Sequence, residues 1–190
     1  MEIIGINGNK FHGKDTVAGL ISKFSTKTVV RLSFAEPIKK ALSLIHVIPY
    51  SYFENSDLKE KPLEKWGNKT PRQLAQWLGT DVYRKQFDKE VWLKNMLYRI
   101  QEYENRDVII VITDCRFNNE VEFVKNLGGK VWRVDASLRI FSNDSHESED
   151  GVSECYIDRN IDNNGSYGEL SAQVEGALRE TSETCGLQTF

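Results

Sequence analysis

The chain has 190 residues, 39% of them hydrophobic and 28% charged, with a formal net charge of −3. That is enough for one α/β domain with a sizeable core and too little for two full domains. A weak negative charge without blocks of like sign argues against a binder of nucleic-acid polymers that relies on a basic surface, but not against a small anion held by a local cluster of donors. No apolar run approaches the roughly 20 residues that span a bilayer. Met1–Ile6 leads into a polar, Gly-rich loop and not into the apolar stretch of a secretory signal. Cys115, Cys155 and Cys185 form no C-x-x-C pair and read as free thiols of a reducing compartment, so a cytoplasmic protein is expected. His12, His46 and His146 cluster neither with each other nor with a cysteine pair, which argues against zinc.

In chain order, Glu2–Ile6 is a short β-type run that turns at Asn7-Gly8. Helical spacing starts at Lys14 and runs to Phe24, with Val17, Leu20 and Ile21 on one face. Thr28–Phe34 is a second strand. Glu36-Pro37 opens a helix that carries Ile38, Ala41, Leu42 and Ile45, with proline where its missing N–H costs little. His46–Lys69 has no clean period and reads as irregular. Thr70-Pro71 pairs a capping hydroxyl with a first-turn proline, so a helix is expected through Gln73–Leu78. Asp88 caps a longer helix bearing Val91, Trp92, Met96, Leu97 and Ile100. Val108–Ile112 is continuous and apolar, as a parallel strand buried on both faces must be. Asn119–Leu127 is helical and stops at Gly128-Gly129. Lys130–Val134 and Cys155–Ile161 are the remaining strands, Ala136–Val152 is a polar segment, and Leu170–Leu178 is a closing helix before a weakly ordered tail. Strands alternating with helices imply a parallel sheet covered on both faces. The helical stretch Glu36–Asn105 reads as an insertion over the C-terminal edge of that sheet, where ligands bind in such folds.

The strongest chemical signal is Gly8-Asn9-Lys10-Phe11-His12-Gly13-Lys14-Asp15-Thr16, which follows a strand and opens a helix. Glycines let such a loop curl until its backbone N–H groups face a phosphate chain. The helix N-terminus adds its positive dipole end, and the lysine reaches the terminal phosphates. The pattern asks for Ser or Thr directly after the lysine to face Mg²⁺. Here Asp15 holds that place and Thr16 follows, so either could serve the metal. Asp114 ends the VIIVIT strand and can face Mg²⁺ or an acceptor, while Arg116 can reach a transferring phosphate. Transfer between two anions needs several cations to hold both in line; Lys39, Arg72, Arg84, Arg116 and Arg139 are the available donors. Trp77 and Trp92, at helical spacing, are more often core than stacking platforms.

The segments GKDT (Gly13–Thr16), FAEPIKKAL (Phe34–Leu42), RQLAQWLGTD (Arg72–Asp81), DCRFNNE (Asp114–Glu120), NDSHESE (Asn143–Glu149) and Asn164-Gly165 occur in that order. Together they resemble the bacteriophage deoxynucleoside monophosphate kinases, within the P-loop nucleoside and nucleotide kinases. The resemblance implies a three-layer α/β P-loop fold with a five-stranded parallel core at about 1–35, 106–135 and 153–180. It adds a helical NMP-binding region at about 36–105 and a short lid at about 136–152. It implies transfer of the ATP γ-phosphoryl group to a deoxynucleoside monophosphate, with Mg²⁺, in the cytoplasm (of the host, if phage-encoded). It involves no membrane or nucleic-acid polymer, and a homodimer stays open. Gly8, Asn9, Lys10, His12, Gly13, Lys14, Asp15 and Thr16 would hold ATP, with Asn164 and Gly165 against its adenine. Phe34, Lys39, Arg72, Gln76, Trp77, Asp114, Arg116, Glu120 and Glu149 would line the acceptor side, with His146 also in the lid or its hinge. Asp15, Thr16 and Asp114 would face the metal. Arg139 would be the lid arginine, with Arg133 its close alternative. Competing readings are a dephospho-CoA or phosphomevalonate kinase, a P-loop GTPase and a non-catalytic nucleotide-binding module. The GTPase lacks its guanine signature, since Asn68-Lys69 runs into Thr70-Pro71.

Overall fold

The computed structural model describes residues 1–139 and 152–185. Their contacts divide the chain into two compact units, Met1–Leu32 with Ile100–Phe190, and Ser33–Arg99. The second unit starts slightly before, and ends slightly before, the helical insertion expected at Glu36–Asn105.

The first unit is built on five parallel strands: β1 (Glu2–Asn7), β2 (Thr28–Leu32), β3 (Val108–Ile112), β4 (Lys130–Asp135) and β5 (Arg159–Asp162). Their order is β2-β3-β1-β4-β5. In β1, Gly5 pairs with Ile112 on one side and with Val131 on the other, so its backbone is satisfied on both edges. Such a strand needs apolar side chains on both faces, and Ile3, Ile4 and Ile6 are all buried. Ile4, Ile6, Ile109, Val111, Trp132, Val134 and Ile161 form one core cluster with α1 (Lys14–Phe24) and α7 (Tyr167–Cys185). Each such aliphatic chain contributes roughly 1.5–3 kcal/mol when buried. The alternate residues face α6 (Asn118–Asn126): a Cβ added at Gly5 would lie 3.0 Å from the Cys115 sulfur and 3.2 Å from a Val124 methyl.

The second unit contains α2 (Glu36–His46), the single turn α3 (Ser51–Glu54), α4 (Pro71–Gln76), a π-helical segment Trp77–Phe87 and most of α5 (Val91–Gln101). Thr70 caps α4 reciprocally: its hydroxyl accepts the Gln73 amide at 3.1 Å while the Gln73 side chain accepts the Thr70 amide at 2.9 Å. Arg99, the last residue of the unit, donates to the Ser33 carbonyl at 2.7 Å and pairs with Glu36. The unit's two chain ends are thus stapled to each other. Burial pushes the Glu36 carboxyl upward, but Lys40 and Arg99 outweigh it and hold it below the ordinary range.

Several elements differ from the sequence reading. The second strand stops at Leu32, and Phe34 is buried beyond it. Ile45 does not join the buried face of α2 and is 66% exposed. The helix at Thr70 does not end at Leu78 but widens into the π-helical segment. There the Trp92 indole donates to the Gly79 carbonyl at 2.9 Å, which holds the widened turn. The fifth strand begins at Arg159, because Glu154–Tyr156 form a 3₁₀ turn. The closing helix runs on to Cys185.

A Cβ at Gly129 would lie 2.8 Å from a Val124 methyl, 2.9 Å from the Val124 carbonyl oxygen and 3.0 Å from Ile3 Cβ. Gly129→Ala should therefore destabilise the sheet unit by about 1–3 kcal/mol through overpacking. In urea unfolding, the midpoint should fall with the slope unchanged; an unmoved midpoint would show that the site has room.

Candidate active site

The C-terminal ends of β1, β3 and β4 lie side by side, and each releases a segment with polar chemistry. From β1 comes the loop Gly8–Gly13. Its curl is written in three left-handed residues, Gly8 (φ 147°), Phe11 (φ 64°) and Gly13 (φ 91°). Glycine is required at two of them for space as well: a Cβ at Gly8 would lie 2.5 Å from the Val134 carbonyl oxygen, and one at Gly13 2.4 Å from the Asn163 amide nitrogen. The Lys14 ammonium folds back across the loop and donates to the carbonyls of Gly8 and Asn9, each at 2.7 Å. A positive charge therefore sits over a ring of backbone at the N-terminus of α1, the arrangement that binds phosphate. Asp15 and Thr16 are exposed in the first turn of α1. The Thr16 hydroxyl lies 4.0 Å from where a Gly13 Cβ would stand, and so is turned toward the loop.

From β3 come Asp114 and Arg116, both partly buried. The Cys115 amide donates to the Ile6 carbonyl at 3.1 Å, and the Asn7 side-chain amide donates to the Cys115 carbonyl at 2.8 Å. These bonds carry the β1–β3 pairing past the strand ends and place Asp114 beside the phosphate loop. Glu120 is 2% exposed, and its carboxylate accepts the backbone amides of Arg116 at 2.7 Å and Phe117 at 3.1 Å. It caps the start of α6 and fixes the turn that carries Arg116.

From β4 come Asp135 and the segment to Arg139. Burial pushes the Asp135 carboxyl upward, but hydrogen bonds from Ser137 and Asn164 and the neighbouring His12 outweigh it and hold it below the usual carboxylate range. Leu138 donates its amide to the Asn164 side chain at 2.8 Å, and the Arg139 guanidinium donates to the carbonyls of Asn163 at 3.0 Å and Gly165 at 3.3 Å. Asn164 and Gly165 are thus held next to the first residues of the expected lid. Arg133, the alternative lid arginine, lies within β4 and is engaged by Asn7 at 3.2 Å, Glu154 and the Val152 carbonyl. His146 and Glu149 lie outside the described residues.

The second unit carries the remaining expected residues. Arg72 donates to Glu60 at 2.7 Å and is largely buried. Lys39 pairs with Glu54 at 2.9 Å. Phe34 is 5% exposed and packs without presenting its ring. Gln76 is partly buried, and its side-chain nitrogen has no hydrogen-bond partner among the described residues. Trp77 and Leu74 line a pocket of about 390 Å³ with His46, Lys65, Trp66, Gly67 and Lys69. At about 100° per residue, Leu74 and Trp77 point well away from Arg72 and Gln76 around α4. Trp77 therefore belongs to a different surface from Arg72.

The sequence model of the deoxynucleotide monophosphate kinase family matches residues 47–174. The chain belongs to the deoxynucleotide monophosphate kinase family. A relative from Acanthamoeba polyphaga mimivirus, described as a putative deoxynucleotide monophosphate kinase, is 34% identical over 160 residues, covering 78% of this chain and 81% of the relative. The deoxynucleotide monophosphate kinases of Escherichia phage RB69 and Enterobacteria phage T4 are 36% and 29% identical over 109 residues; this match spans 44% and 45% of their lengths. Among solved structures, a gluconokinase from Sinorhizobium meliloti 1021 superposes with a TM-score of 0.50 at 12% identity, covering 100% of this chain and 98% of that one. A shikimate kinase from Bacteroides thetaiotaomicron does so with a TM-score of 0.50 at 16% identity, covering 96% and 98%. At these identities the likeness shows the fold, that of P-loop kinases. Membership of the family makes the protein a phosphotransferase. No described helix is long and apolar enough to cross a membrane.

The sequence reading missed Asn7, Asp135 and Asn163, which tie the ends of β1, β3, β4 and β5 together. Their signal is faint: each is a polar residue at or just after a strand end.

Cys115 is buried just beyond the end of β3, bonded through its backbone to Ile6 and Asn7 of β1. Burial, then the nearby carboxylates of Glu120 and Asp114, push its thiol well above the ordinary range. A thiol reagent at pH 8 should label exposed Cys155 in the native protein and reach Cys115 only on unfolding. The unfolded chain would release a proton that the folded one keeps. This residue should therefore lower stability as pH rises past about 8.5. Native labelling of Cys115 as fast as Cys155 would contradict its burial.

Proposed function

We propose that the protein transfers the γ-phosphoryl group of ATP to the phosphate of a deoxynucleoside monophosphate, giving a deoxynucleoside diphosphate and ADP. The observation that carries this reading is Lys14 folded over the Gly8–Gly13 loop beside Asp114, in a chain of this family. The loop amides and Lys14 hold the donor phosphates, and the Asn164-Gly165 turn takes the adenine. Asp114 stands on the acceptor side, Glu120 fixes the turn that carries Arg116, and Lys39 and Gln76 are the second unit's candidates for acceptor contacts. Arg139 supplies a further cation by exchanging the carbonyls of Asn163 and Gly165 for phosphate oxygens. The reading places the enzyme in a cytoplasm, where both nucleotides are found.

The donor set fits Mg²⁺, a hard ion that takes one or two carboxylates and completes its shell with phosphate oxygens and water. Asp15, Asp114 and the Thr16 hydroxyl would hold it. When bound, it neutralises charge on the transferring phosphates. Among the described residues, no group of three or more His, Cys, Asp or Glu side chains is gathered for a metal.

Coupled measurement of ADP release tests the substrate class. With dAMP, dGMP, dCMP, dTMP, dUMP, 5-hydroxymethyl-dCMP, AMP and dephospho-CoA as acceptors, turnover should require an acceptor and favour deoxynucleotides. Lys14→Ala should lower it by at least about a hundredfold, the scale of losing one charged contact to the transition state. Preference for dephospho-CoA would overturn the substrate class, and acceptor-independent turnover would point to a switch-type NTPase.

Arg72 and Arg116 grip the acceptor phosphate, because a planar guanidinium fork matches phosphate oxygens. Removing either should lower kcat/KM by a similar factor for every deoxynucleotide, since such a grip is blind to the base, and should leave ATP affinity nearly unchanged. A base-dependent loss would contradict the assignment.

A further inference from the structure

His12 belongs to the phosphate loop, yet its side chain does not face the space over the loop. It is 5% exposed and turned under the loop toward the end of β4. Its Nδ1 lies 3.2 Å from the Ala136 amide nitrogen, 3.1 Å from the Val134 carbonyl oxygen and 3.7 Å from an Asp135 carboxylate oxygen. Nδ1 can accept the Ala136 amide or donate to the Val134 carbonyl, so either tautomer ties the ring to the end of β4. The His12 carbonyl is engaged as well: it accepts the Asn163 side-chain amide at 2.9 Å. Asn163 in turn donates its own amide to the Asp135 carbonyl at 2.7 Å. Three segments therefore close on one residue: the phosphate loop, the end of β4, and the Asn163–Gly165 turn after β5. The absence of a side chain at Gly13 is what lets Asn163 approach.

We infer that His12 is a positioning residue which sets the distance between the phosphate loop and the turn that receives the donor base, so that ATP is gripped at both ends at once. This rests on the donor-site reading above. The physical reason is that two weak grips on one ligand add fully only when their spacing is fixed in advance; a slack link loses the second grip to ordering cost. Inorganic tripolyphosphate engages the phosphate loop alone and so has nothing to gain from the link. Asparagine carries an amide on Cγ, where histidine carries Nδ1, and can accept the Ala136 amide through its oxygen or donate to the Val134 carbonyl through its nitrogen. Leucine has comparable apolar bulk and no polar atom.

The test is equilibrium binding of ATP and of tripolyphosphate to the parent, His12→Leu, His12→Asn and Asn163→Ala, with thermal melting as the check on folding. His12→Leu and Asn163→Ala should each weaken ATP by about tenfold, the scale of one lost hydrogen bond, and leave tripolyphosphate within about twofold. His12→Asn should keep ATP within about threefold of the parent, by retaining the polar contact with the end of β4. Equal weakening of both ligands would show that His12 merely supports the loop and would overturn the inference. So would His12→Asn as weak as His12→Leu. Should His12→Leu not fold, Asn163→Ala carries the same ligand comparison. A parent that binds ATP no more tightly than tripolyphosphate would overturn the donor-site reading itself, before any variant is made.

Discussion

The position of β1 in the middle of an all-parallel sheet is the constraint on which the site depends. Its backbone is hydrogen-bonded to β3 on one side and to β4 on the other, so it cannot shift register without breaking both ladders. Parallel pairing also puts all three C-terminal ends on one edge. The phosphate loop therefore leaves β1 flanked by Asp114 from β3 and Asp135 from β4. Asn7 extends the joint, since its side chain donates to the Cys115 carbonyl and accepts from Arg133. The loop over which Lys14 folds is thereby fixed in place at the sheet edge.

The same edge explains the division of labour among the polar residues. Some of the charged groups that the sequence nominates for chemistry are engaged in structure. Glu120 is spent on the amides that start α6, and Arg133 joins β4 to Asn7 and to residues 152–154. Lys14 keeps its ammonium at the mouth of the loop. Buried groups that fix geometry and exposed polar groups alternate along a few residues at these strand ends. The second unit has its own closure. Arg99 joins the residues at which the chain enters and leaves it, so the helical insertion is a self-contained body between two positions of the sheet unit's chain.

Much of this was legible in the sequence where one local rule decides. The GKDT loop, the VIIVI strand and the Thr70-Pro71 helix start each satisfy a short-range physical condition, and the structure has them at those positions. The parts that were not legible depend on tertiary contacts. An α-helical period gives no sign that Trp77–Phe87 widens into a π-helical segment, because the turn is held by the indole of Trp92, thirteen residues after Gly79. The start of the fifth strand was misjudged because Cys155–Tyr156 precede a residue, Asp158, whose carboxylate accepts the Val131 amide and Lys125, and pairing with β4 begins only at Arg159. Ile45 fits an apolar stripe by spacing, yet is exposed near the end of α2. Neither His12 nor Asn163 could be given its role from spacing, since their partners lie more than a hundred residues away.

The central claim is that the protein moves a phosphoryl group between two phosphates and does not release it to water. Phosphorus NMR of a reaction containing the protein, ATP, Mg²⁺ and a deoxynucleoside monophosphate reads this directly. The account predicts that the γ-phosphate signal of ATP declines while the α- and β-signals of two diphosphates grow in equal amounts, one from ADP and one from the acceptor, with no build-up of inorganic phosphate. Growth of inorganic phosphate at the rate of ATP loss, with the monophosphate unchanged, would contradict it.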